Sequence, residues 1–71
     1  MRREYLTTTY GFPKGSISSD EKGRQTASDN AGRILGRYDP ATDVTHSPSG
    51  RPIGRGNFLA ALISQAWNER G

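Results

Sequence analysis

The residues best equipped for chemistry lie in two stretches, "GRILGR" at 32–37 and "GRPIGR" at 50–55. Both read Gly-Arg-x-apolar-Gly-Arg, and they start eighteen residues apart. A guanidinium presents paired N–H donors in a fixed plane and matches two oxygens of a phosphate or carboxylate. Anion recognition is therefore the chemistry that Arg33, Arg37, Arg51 and Arg55 could share. Tyr38 stands beside them, able to stack or hydrogen-bond.

Other chemistry finds little support. A nucleophile needs a base, and His46 is the only histidine. It adjoins Ser47 near the end of an expected strand, where neighbouring side chains point to opposite faces. Asp39 and Asp43 read as turn residues. There is no cysteine and no Asp-x-Asp spacing, so the ligand sets that metals prefer are missing. A chain of this length builds no deep cleft alone. The expectation is a protein without catalytic activity, metal, cofactor or small-molecule substrate.

The elements that must position these arginines follow from turn signals. "DEKG", "DNAG" and "SPSG" each end in Gly, and each is followed by Arg. Asp or Ser first, Pro second and Gly fourth are type I turn preferences, and such a turn closed by a left-handed Gly is a common hairpin connection. "DPATD" at 39–43 also carries Pro in second place. Strands are expected between the turns, at 33–38, 43–46 and 51–55. Pro52 has no N–H to donate, so the last strand should be an edge or bulged. "EYLTTTY" at 4–10 has strand composition, and "SIS" at 16–18 could add a short strand. Residues 18–31 have almost no apolar anchors and read as a polar, mobile loop or a weak edge strand.

The C-terminal segment is the clearest. Asn57 is a favoured N-cap, and Leu59, Leu62, Ile63 and Ala66 recur at the spacing of one helical face. Phe58 and Trp67 flank that stripe. The spacing predicts a helix over about 58–69. The expected fold is α+β: one domain over 1–71, a three-stranded antiparallel meander that an N-terminal strand could extend, packed on one C-terminal α-helix. This architecture resembles small DNA-binding domains that lay a sheet in the major groove, although fold alone does not fix function.

In that meander the leading Gly-Arg of each unit follows from turn chemistry. The second Arg does not. Strand alternation puts Arg33, Leu35 and Arg37 on one face, and Arg51, Ile53 and Arg55 likewise, with Ile34 and Tyr38 opposite. All four arginines would share a face unless a bulge at either Gly changed the parity. "GRGN" at 54–57 adds a helix N-terminus, whose free N–H groups suit anions.

Composition bounds the partners. The net charge is +3, and eight of the ten basic residues are Arg, a balance that favours nucleic acid. Only 31% of residues are hydrophobic, and a core in so short a chain rarely supplies more than roughly 3–5 kcal/mol. Hence a second expectation: a protein-interaction module or small assembly subunit, in which Leu59, Leu62, Ile63 and Trp67 meet a protein partner or another copy. No run of apolar residues suggests a secretory signal or membrane span, and a cytoplasmic location is the matching expectation.

Overall fold

The computed structural model describes residues 2–8 and 10–70, with the side chains of 2–8 and 10–68. Six strands, β1 (Arg2–Thr7), β2 (Pro13–Ser19), β3 (Gln25–Asp29), β4 (Ile34–Asp39), β5 (Val44–His46) and β6 (Pro52–Arg55), form one antiparallel sheet in chain order. Helix α1 (Leu59–Arg70) follows and packs across β2, β3 and β4. The α+β class is as expected, but the meander has twice the expected three strands. Pro52 opens β6, an edge strand with a register shift opposite Thr45/His46.

The largest difference falls on residues 18–31, expected as loop or a weak edge strand. They hold the end of β2, a turn, all of β3 and the start of the next turn. β3, "QTASD", has no large apolar residue, so period-2 patterning could not reveal it. It is a strand because its backbone is paired on both sides, with Ala27 opposite Ile17 and opposite Gly36. Ala27 is fully buried. Its small side chain lets the helix lie close above.

One turn recurs. Asp20 N–H donates to the Arg24 carbonyl (2.9 Å), and Gly23 N–H donates to the Asp20 carbonyl (3.1 Å). The Asp20 carboxylate also accepts from the N–H groups of Lys22 (2.9 Å) and Arg24 (3.0 Å). Asp29 repeats this pattern with Ala31, Gly32 and Arg33. Ser47 repeats most of it with Gly50 and Arg51, and Thr8 does so with Tyr10, Gly11 and Phe12. The fourth-position glycines have φ from 83° to 93°, a region closed to most L-residues. The short polar side chain in first place supplies the acceptor that orphan turn amides need.

The small residue four places beyond each turn glycine does a different job. Gly15, Ala27, Gly36 and Gly54 stand four places after Gly11, Gly23, Gly32 and Gly50. Three of them are glycines whose space is already occupied. A Cβ on Gly36 would lie 2.7 Å from Leu62 Cδ1 and 2.9 Å from the His46 carbonyl oxygen, and Gly54 lies against the Phe58 ring. The first glycine of each Gly-Arg unit thus turns the chain, and the second clears room, Gly36 for Leu62 of the helix and Gly54 for the Phe58 ring just before it.

Leu59 and Ile63 are fully buried with Ala27, and Leu6, Ile17, Leu35, Tyr38 and Leu62 pack around them. The helix start is bonded to the sheet. Buried Thr45 donates its hydroxyl to the Gly56 carbonyl (2.5 Å) and accepts from Phe58 N–H (3.1 Å). Asn57 accepts from Leu59 N–H (3.1 Å) and donates its amide to Gln25 (2.7 Å). Among the described residues no helix is long and apolar enough to cross a membrane.

Candidate nucleic-acid interface

The helix covers one face of the sheet and leaves the other open. Register decides which arginines stand on the open face. Arg37 lies opposite Thr26 and His46, and Arg55 lies opposite Val44. Val44 and His46 are two residues apart on β5, so Arg37 and Arg55 share a face. Gly36 meets the helix, so its neighbour Arg37 points away from it. Two strand spacings and two residues separate the pair, roughly 12 Å between Cα atoms.

The other two arginines of the units lie elsewhere. Arg33 and Arg51 precede β4 and β6 and close turns through their backbones. Arg33 is committed further: its Nε lies 3.5 Å from the Asp29 carboxylate. The register shifts fall inside both units, at Leu35 and at Ile53. The extra residue reverses the parity there. Leu35 joins the core instead of lying between arginines, and Ile34, opposite Ser28, moves to the face of Arg37. Of the four arginines in the doubled unit, only Arg37 and Arg55 therefore stand on the open face.

Tyr38 points the other way. Its ring packs against the core, and its hydroxyl donates to Asp43 Oδ1 at 2.7 Å. That hydrogen bond, with partial desolvation and the nearby Asp43 and Asp39 charges, holds the phenol above its ordinary value. Tyr38 is thus a structural tie to the β4–β5 turn, where Asp43 adopts φ 55°, and it also borders a groove lined by Arg24 and Arg37.

Two further expected surfaces are occupied by the protein itself. The N–H groups of Phe58 and Leu59 at the helix start already bond to Thr45 and Asn57, and they lie on the covered side. Leu59 and Ile63 are spent on the sheet, Leu62 is partly buried with them, and Trp67 is half-buried. A partner would find little of that stripe exposed.

Arg37 and Arg55 are exposed, and neither forms an ion pair among the described residues. A row crosses the open face at the level of Arg37: Arg3, Ser18, Thr26, Arg37 and His46, each opposite the next. Hydroxyls between guanidiniums supply further donors to phosphate oxygens. A groove of about 510 Å³ adjoins this row, lined by Thr26, Arg37 and His46 and by Arg24, Asp20 and Gly50 of two turns. Local sequence spacing points to neither Arg24 nor His46 as a binding residue. Nothing in their local spacing shows that distant turns bring them to Arg37. No group of three or more His, Asp or Glu among the described residues could hold a metal ion.

Compared with protein-family models, with curated proteins and with solved structures, the chain matches none.

Proposed function

We propose that this chain is a small basic nucleic-acid-binding module, without catalytic activity, that meets phosphates with the open face of its sheet. One observation carries the reading: Arg37 and Arg55 stand exposed on the same face with no carboxylate partner among the described residues. Asp39, opposite Val44, shares that face and offsets part of the charge, but guanidiniums outside any ion pair gain from an external anion, and a phosphate offers each of them two acceptors. The positive net charge of the chain adds long-range attraction. The first arginine of each unit serves the turns, so Arg33 and Arg51 contribute less.

The test is a titration of duplex DNA and of RNA at several salt concentrations. Removing one arginine–phosphate interaction lowers the salt slope by about one. The Arg37→Ala, Arg55→Ala double variant should therefore bind with a slope smaller by about two, while the Arg33→Ala, Arg51→Ala variant retains most of it. No salt-dependent binding by wild type, or a double variant that binds as wild type does, overturns the proposal.

A further inference from the structure

The open face is not flat. Its groove of about 510 Å³ has Thr26, Arg37 and His46 from three adjacent strands, and it is flanked by the Asp20–Arg24 turn and by Gly50 of the β5–β6 turn. Arg24 and Arg37 come to it from different elements, and neither forms an ion pair among the described residues. The carboxylates nearby are engaged by the backbone. Asp20 accepts from the N–H groups of Lys22 and Arg24, and Asp39 accepts from Ala41 N–H at 3.0 Å. The groove thus combines two guanidiniums outside any ion pair, an imidazole and the Thr26 hydroxyl with the carboxylates of Asp20 and Asp39, which backbone N–H groups already engage.

We infer that this groove holds a single strand of nucleic acid, with a phosphodiester between Arg24 and Arg37 and a base against His46. The inference rests on the nucleic-acid reading and makes it specific. Thr26 and His46 are half-buried between the turns. A duplex is broader than an unpaired strand and would have to pass the two flanking turns to reach them. An unpaired strand is thin enough to enter. Its bases are free to stack on planar groups such as imidazole or guanidinium, a sequence-tolerant arrangement typical of single-strand grooves. The volume lies within the range of sites that enclose small ligands, ~300–1,000 Å³.

The experiment measures fluorescence anisotropy of a labelled oligonucleotide, as a single strand of DNA or RNA and as its DNA duplex, at one low salt concentration. Wild type, Arg24→Ala, His46→Ala and Arg55→Ala are compared, with circular dichroism to confirm that each variant is folded. Wild type should prefer the single strand. Arg24→Ala should weaken single-strand binding about tenfold, the effect of removing one charged hydrogen-bonding partner, and leave the weaker duplex binding nearly unchanged. His46→Ala should act in the same direction. If duplex binds as tightly as single strand, or Arg24→Ala leaves single-strand affinity unchanged while Arg55→Ala reduces it, the groove assignment fails and the open-face reading survives. If wild type binds none of the oligonucleotides, both fail.

Discussion

The two faces of this sheet are built from neighbouring residues to opposite ends. On the covered face stand Gly15, Ala27, Gly36 and Gly54, with almost no side chain, and the helix and the preceding Phe58 ring fill the space they leave. On the opposite face stand the residues that follow them: Ser16, which is buried, Ser28, which is half-buried, and the exposed Arg37 and Arg55. A strand alternates its side chains, so "Gly-Arg" inside a strand assigns packing to one residue and surface chemistry to the next. The core is built from close approach made possible by small residues. Changes on the covered face should therefore cost stability, and changes at the exposed Arg37 and Arg55 should cost only the proposed binding.

The largest expected effect breaks the covered face. Ile63 is fully buried, one of three such hydrophobic residues among those described. Truncating a buried Ile to Ala costs about 2–5 kcal/mol, comparable to all that a core of this size supplies. Ile63→Ala should be largely unfolded at 25 °C by circular dichroism. Arg37→Ala, on the open face, should stay within about 0.5 kcal/mol of wild type in thermal melts. Equal melting temperatures for the two variants would mean that the helix is not what stabilises the sheet.

Adding an atom sharpens the comparison further. Gly36→Ala places its methyl 2.7 Å from Leu62 Cδ1 and 2.9 Å from a backbone oxygen. Overpacking of this kind costs roughly 1–3 kcal/mol. Gly36→Ala and Arg37→Ala alter adjacent residues, yet the first should lower the urea midpoint and the second should lower the salt slope of binding. A Gly36→Ala protein with an unchanged midpoint would show that the helix does not need the gap.

How much of this is legible in the sequence depends on which forces set each element. Turn chemistry is local, and it locates the hairpins: Asp20, Asp29 and Ser47 each open a turn and an Arg follows its glycine. The helix announces itself through the spacing of Leu59, Leu62 and Ile63. β3 does not, because its strand character comes from pairing with β2 and β4 and its inward residue is only an alanine. The candidate site is half visible. Arg37 and Arg55, the arginines left unexplained by turns, are the two that reach the open face. Arg33 and Arg51 depart from the expected face because the register shifts at Leu35 and Ile53 reverse the parity. A one-residue bulge is set by how two strands pair, which neither strand's sequence states alone. The groove depends on turns far apart in the chain, so Arg24 and His46 carry no local mark.

The smallest expected effect concerns Tyr38, the one residue grouped with the arginines that belongs to the other face. Its hydroxyl donates to Asp43, and ionisation would break that bond and set a phenolate beside a carboxylate. The folded state therefore raises its pKa above the ordinary value of about 10. A group raised on folding contributes stability that is complete below the unfolded value and is lost as pH rises through the folded one. The contribution of Tyr38 should thus be constant through neutral pH and decline only in alkaline solution above pH ~10. Tyr38→Phe should remove that decline and leave the salt slope of nucleic-acid binding unchanged, since the ring faces away from Arg37. Spectrophotometric titration of wild type against Tyr38→Phe isolates this phenol, which should ionise later than a free tyrosine. If it ionises at the ordinary value, the bond to Asp43 is not maintained in solution. If Tyr38→Phe instead lowers the salt slope, Tyr38 belongs to the binding surface and the division between the two faces fails at this residue.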